Sequence, residues 1–178
     1  MNPFFLSIYD ELEHQRVELL DRVKNLPVEK FNYKPSEERW SISQILTHIL
    51  VAERLSVGYM KKKALGIDQL KNSGISAGFR LQILIISQRI PNLKFKVPGV
   101  VLANTPQAYS IAELETHWQN HRQDLKVFLG TIENKNAKKV LYKHPVAGRL
   151  DARQAMVFFR EHIIHHLPQI KRLLDHDL

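Results

Sequence analysis

The 178-residue chain contains no Cys. That absence excludes a Cys nucleophile, a zinc finger, an iron–sulfur cluster and a redox pair, so any metal must be held by His and carboxylates. Gly and Pro are sparse, at seven and eight, which excludes collagenous and low-complexity classes. No stretch approaches the roughly 18 consecutive apolar residues of a membrane-spanning helix, and the richest run, 81–86, is closed by Arg80 and Arg89. Residues 1–9 lack a basic segment followed by an apolar core and a small-residue cleavage site, so no secretory signal is expected and the cytoplasm is the default compartment.

Composition is that of an ordinary globular protein, 44% hydrophobic and 25% charged, and one domain spanning 1–178 is the expected organisation. A chain of this length buries roughly 70% of the surface its unfolded form exposes, so no disulfide is required. There are 26 Lys and Arg against 18 Asp and Glu, a formal charge of +8. Such a surface attracts nucleic acid or acidic lipid through counterion release. The dense basic runs, however, fall at a helix end (Lys61, Lys62, Lys63) and in a loop (135–143). No basic helix face carries interleaved aromatics for stacking, so neither nucleic acid nor a membrane is the expected partner. A small molecule is.

Helical periodicity dominates. Ile8, Leu12, Leu19, Leu20 and Val23 mark an amphipathic helix over 4–26, stopped by Pro27. After a polar connection, Ser41 with Gln44 forms a capping box that opens a second helix over 42–64. The stretch 66–106 is irregular, with a short helix expected over 77–90 and loop around Pro91, Pro98, Gly99 and Pro106. Ser110 with Glu113 opens a third long helix to about residue 132, and 134–149 reads as a polar, basic link. Asp151 with Gln154 opens a fourth helix, 152–174. Four long helices with almost no strand signal imply an all-α fold, an antiparallel four-helix bundle with one long connection between the second and third helices.

The nine His carry the chemistry. Chance supplies roughly half a His pair at spacing four in such a chain, yet there are two, His117 with His121 and His162 with His166. On the fourth helix Phe159, His162, Ile163, His166, Ile170 and Leu173 trace one stripe, apolar except for the imidazoles. Two buried rings need hydrogen bonds or a metal to compensate them. Imidazoles one turn apart reach a common ion. His48 faces inward with Ile45, Ile49, Ala52 and Leu55 on the second helix, and supplies the third ligand that a bundle core builds from facing helices. Two independently satisfied core histidines and a third lone one remain the plainer alternative.

His121 shares a stripe with Leu114, Trp118 and Leu125 and lines the same cavity or bonds a neighbour in the core. His165, Glu161 and Gln169 are candidates to orient the imidazoles from behind. His14, His144 and His176 read as surface or loop residues. The segment His162-Ile-Ile-His165-His166 has no Glu between its spaced histidines, which excludes the zinc-protease helix with its built-in base. Neither a Gly-rich phosphate loop nor the Glu-x-x-His set of di-iron bundles is present.

Two segments, Trp40-Ser-Ile-Ser-Gln-Ile-Leu-Thr-His48 and Phe159-Arg-Glu-His162-Ile-Ile-His-His166-Leu-Pro-Gln-Ile170, together resemble the DinB-like family of damage-inducible four-helix metalloproteins. The likeness extends to His144-Pro145-Val-Ala-Gly148-Arg-Leu150. It implies a divalent ion, commonly zinc or nickel, held by one His of the second helix and two of the fourth, which here are His48, His162 and His166. Relatives include thiol transferases that use bacillithiol or mycothiol, a thiol-dependent isomerase and proteins described as metal-dependent hydrolases, and bundles of this family often pair as homodimers. The resemblance therefore points first to a thiol-dependent S-transferase, with the low-molecular-weight thiol brought in as a cosubstrate. Metal-dependent hydrolysis, and a non-catalytic metal-binding or stress-response module, are the alternatives. The long 66–106 connection departs from the family pattern near where a substrate pocket would open.

Overall fold

The computed structural model describes residues 1–89, 99, 101 and 108–176. Helix α1 runs Pro3–Val23, with Pro at its first turn and the Asn2 side chain accepting from the Phe4 amide. Pro27 does not merely stop it. With its fixed φ it begins a short helix α2, Val28–Asn32, which packs on the next helix. Helix α3 spans Ile42–Ala64, closed at its start by the Ser41/Gln44 capping box and ending on Lys61, Lys62 and Lys63, where cations meet the negative end of the helix dipole. Helix α4 covers Ile75–Arg89, close to the expected short helix. Gly99 and Val101, expected in loop, are helical, whereas Pro91, Pro98 and Pro106 lie outside the described residues.

Helix α5 spans Ile111–Thr131 behind the Ser110/Glu113 box, and α6 spans Ala152–Leu174 behind the Asp151/Gln154 box. All three boxes predicted from sequence are made reciprocally. Pro168 sits inside α6, where its ring removes one helical hydrogen bond just past His166. Helix α1 packs on α5 and α6, and α3 packs on the same two. Thus α1 and α3 face each other across the bundle, as do α5 and α6, and one core runs through the middle from Phe5, Leu12, Ile49 and Trp118 to Phe159 and Ile163.

The polar link of 134–149 is the main departure from expectation. It contains strand β1, Val140–His144, paired antiparallel with β2, Gly148–Asp151, in the register Tyr142↔Leu150 and His144↔Gly148. Polarity of the flanking lysines masks the pattern, but Leu141 and Leu150 are fully buried and Tyr142 nearly so. An isolated two-stranded hairpin is marginal in water. This one is held by packing on α3, α4 and α6, and the Tyr142 hydroxyl lies 2.9 Å from Ser56 Oγ of α3. Gly148 adopts φ 73°, a left-handed conformation that other residues rarely tolerate, which fixes the turn 145–147. The hairpin feeds straight into Asp151, the cap of α6, so the turn and the first residues of the histidine helix are positioned together.

Candidate metal centre

Three imidazoles converge between α3 and α6. Ring centroids lie 5.2 Å apart for His48 and His162, 5.3 Å for His48 and His166, and 4.8 Å for His162 and His166. One nitrogen from each ring lies within 4.8 Å of the other two. The Nε2 atoms of His162 and His166 are 3.2 Å apart, so both are directed at one point that a proton or an ion must occupy. His166 Nδ1 donates to Gln169 Oε1 at 2.7 Å, which leaves the Nε2 lone pair free.

The rings are buried and their surroundings keep them neutral. Burial lowers the His48 pKa to about 4, helped by the charge of His165, and lowers that of His166 to about 3, with His48 adding to the effect and Gln169 opposing it. His162 is lowered further in the same direction, by burial first and then by its histidine neighbours. Neutral imidazole is the form that binds metal. The buried Nδ1 atoms of His48 and His162 have no hydrogen-bond partner among the described residues. Three polar rings buried in an apolar bundle are costly unless compensated, and an ion taken up by the converging nitrogens would compensate them. The donor set, three imidazoles with no thiolate or carboxylate joining them among the described residues, suits a divalent transition ion and leaves at least one coordination position open.

Aromatic rings wall the cluster. Trp40 lies 4.9 Å from His48, and Phe158 stacks on His162 at 5.5 Å with 15° between planes. His165, half-buried, meets His166 edge-on at 5.0 Å. Gln169 and His165 thus stand beside the triad, as the sequence spacing suggests. Glu161 and His121 are engaged elsewhere. The buried Glu161 carboxylate takes Arg89 of α4 on Oε2 at 2.6 Å and Arg160 on Oε1 at 2.8 Å, an ion pair tying α4 to α6. His121 points at Glu53, 3.5 Å away, because its stripe on α5 faces α3, whereas α6 lies across the bundle. Arg80 donates to the Ala147 carbonyl at 3.0 Å and so braces the hairpin turn.

His144 corrects the sequence reading most. Expected in an exposed loop, it ends β1 with 8% of its surface accessible, its ring edge-on to Phe158 at 4.3 Å. Burial lowers its pKa to about 4. The strand-forming run Val140-Leu141-Tyr142 and the turn glycine at 148 were the signals for it. His14 and His176 are exposed as expected, and His176 contacts the Tyr33 hydroxyl at 3.0 Å.

The profile of the DinB superfamily matches residues 11–170. The chain belongs to the DinB superfamily. A relative within it, the uncharacterized protein YuaE of Bacillus subtilis strain 168, is 27% identical over 168 residues, 94% of this chain and 96% of that one. Among solved structures, YfiT from Bacillus subtilis superposes with a TM-score of 0.60 at 13% identity, covering 95% of this chain and 85% of that one. YfiT is described as a probable metal-dependent hydrolase with an unusual four-helix bundle topology. At that identity the likeness establishes the four-helix-bundle fold of this DinB protein.

The depressed histidines set the acid stability of the metal-free protein. Their folded pKa values lie below the ordinary value of 6.5, so between pH 6.5 and 4 the unfolded chain binds protons that the folded chain refuses. Stability is therefore full above pH 6.5 and falls as pH drops, by about 3 kcal/mol at pH 4 for each of His48 and His144. Chemical denaturation of chelator-treated protein between pH 7.5 and 4.5 is expected to show a falling midpoint. A flat midpoint would contradict it.

Proposed function

We propose that the protein is a metal-dependent enzyme acting on a small molecule, with His48, His162 and His166 as the ligands of one divalent ion, zinc or nickel, and that its reaction is transfer of a low-molecular-weight thiol to an electrophile. The observation that carries this is the convergence of three buried, neutral imidazoles from α3 and α6 with no further protein ligand among the described residues. An ion held there acidifies a coordinated thiol or water and so supplies a nucleophile at neutral pH.

The carboxylates of the bundle favour thiol over water. A coordinated thiol ionises without a dedicated base, whereas hydrolysis is helped by a group that takes a proton from the attacking water. Glu161, adjacent to His162, has both oxygens engaged by Arg89 and Arg160, and Glu53 is paired with Arg122. The chain contains no Cys, so the thiol arrives with the cosubstrate. Gln169 orients His166, Phe158 and Trp40 close the walls against water, and Arg89 anchors α4 against α6 beside them. Hydrolysis is the second reading, supported by the description of YfiT.

Zinc- or nickel-loaded protein is assayed with monobromobimane and cysteine, glutathione or 2-mercaptoethanol, and separately with 4-nitrophenyl acetate. The expected result is conjugation at least tenfold above the protein-free rate, removed by chelator and restored by zinc. Ester turnover without thiol conjugation would instead establish the hydrolase reading. Silence with both would leave a non-catalytic metal-binding module.

A further inference from the structure

Helix α4 presents apolar residues on two opposite sides. At about 100° per residue, Ala77, Leu81, Leu84 and Ile85 fall together, and all four are buried in the core. Ile75, Phe79, Ile83 and Ile86, each three or four residues from the next, form the opposite stripe. That stripe stands in solvent: Ile75 is 97% exposed, Phe79 69%, Ile83 52% and Ile86 61%. Scattered exposed apolar residues are ordinary, but four in one row on one helix mark an interaction surface.

Charge identifies the partner. The stretch 69–112 contains no Asp or Glu, where the chain's overall content of 18 in 178 places about four. Of the cations there, Arg89 is answered by Glu161. Arg80, next to Phe79 and exposed, gives its Nε to the Ala147 carbonyl at 3.0 Å, a neutral acceptor that orients the guanidinium without cancelling its charge. Lys71, exposed ahead of the helix, is paired with no carboxylate among the described residues. The hairpin turn that Arg80 touches has the same character. Val146 is exposed, and Lys143 stands directly opposite Arg149 across the two strands, both in solvent. Like charges so opposed are destabilising, and an anionic surface relieves them. A twofold contact between two copies instead sets the same patch against itself, with no acid in the stretch to answer Lys71 and Arg80.

We propose that α4 docks on an anionic lipid surface, its Ile75, Phe79, Ile83 and Ile86 stripe entering the boundary between headgroups and acyl chains while Lys71 and Arg80 meet lipid phosphates. Lys143 and Arg149 of the adjoining hairpin add to the attraction. An apolar face bordered by cations is the pattern of helices that lie in a membrane interface. The helix rests on the surface and does not cross it, since no helix among the described residues is long and apolar enough to span a bilayer. Spacing alone points to no membrane partner, because apolar side chains occur on both sides of α4 and only packing shows which side is left over. The metal centre plays no part, so the thiol and hydrolase readings of that site are equally compatible with it.

The test is flotation of full-length, zinc-loaded protein with vesicles of phosphatidylcholine alone and of phosphatidylcholine with about one-third phosphatidylglycerol. Partitioning onto the anionic vesicles is expected to exceed that onto the neutral ones at least tenfold, and to fall as salt is raised. Phe79→Ser with Ile83→Ser is expected to lower it by about tenfold or more, through loss of buried apolar surface, with zinc binding and Tm unchanged. Lys71→Gln is expected to lower only the binding to anionic vesicles, by about fivefold. Wild-type protein that stays out of the vesicle fraction, or binding that the double variant retains in full, overturns the proposal. A dimer seen by sedimentation velocity that the double variant dissolves assigns the stripe to a second copy and likewise overturns it. Should the double variant fail to fold, Phe79→Trp decides: its added emission should move to shorter wavelength on anionic vesicles, and an unshifted emission overturns the docking of α4.

Discussion

Replacing His162 by Ala removes stoichiometric metal from the protein. The His162 ring lies 5.2 Å from His48 and 4.8 Å from His166, so its loss leaves two imidazoles on different helices without the third member of the cluster. Removing even an outer partner of a metal ligand typically costs 10- to 100-fold in affinity, and removal of a ligand itself is expected to cost more than about 100-fold. Wild-type protein reconstituted with zinc should bind one equivalent by elemental analysis. At 100 times its dissociation constant zinc adds about 2.7 kcal/mol of stability, which for a chain of this length raises the Tm by roughly 5–10 °C. His162→Ala should show no such rise. Trp40, 4.9 Å from His48, gives a second readout, since nickel or copper bound there quenches its fluorescence. His121→Ala serves as the control and should keep its metal, because that ring faces Glu53. Undiminished zinc binding by His162→Ala would refute the centre.

A second large effect lies on the other side of α3. Arg122→Met is expected to destabilise the protein by about 3–5 kcal/mol, the usual consequence of leaving one member of a buried ion pair alone, and to lower the Tm by roughly 10 °C. Arg122 and Glu53 are both essentially inaccessible, joined by Nη1 to Oε2 at 2.8 Å and Nη2 to Oε1 at 3.2 Å. Burial by itself pushes the Glu53 carboxyl up. Arg122 and His121 more than offset it and hold it below the ordinary value. Without Arg122 the burial effect prevails, the folded pKa rises above the unfolded one, and stability is lost as pH rises through it. The deficit relative to wild type should therefore be smaller at pH 5 than at pH 8. Adding Glu53→Gln should recover part of it at pH 8, since the unpaired buried charge is then gone. Thermal melts of the two variants across that range are the check, and a loss under 2 °C at pH 8 would show the pair to be dispensable.

How far these sites were legible in the chain depends on the kind of signal each one leaves. Helix ends were readable because capping is local: Ser41 with Gln44, Ser110 with Glu113 and Asp151 with Gln154 each bond within four residues, and all three boxes are made. The inward direction of His48, His162 and His166 was readable too, since a helix of known period turns sequence spacing into a face. The hairpin left only a faint signal, the run Val140-Leu141-Tyr142 and Gly148. Val140 to Asp151 is short and studded with Lys and Arg, and its strands form because Leu141, Tyr142 and Leu150 find α3 and α6 to pack on. His144 was misjudged for the same reason, as its burial is conferred by Phe158, fourteen residues further along the chain.

The sequence by itself determined four long helices, their caps and three imidazoles on apolar faces, because periodicity and capping act over one or two turns. Tertiary structure alone decided which histidines meet. Helices α3 and α6 are neighbours, so His48 joins His162 and His166, whereas α5 turns His121 toward Glu53 and Arg122. Burial then made those three rings neutral and left the Nδ1 atoms of His48 and His162 without a partner among the described residues, and the hairpin carried His144 against Phe158. Each of these properties depends on contacts between distant segments, and spacing along the chain carries no record of them.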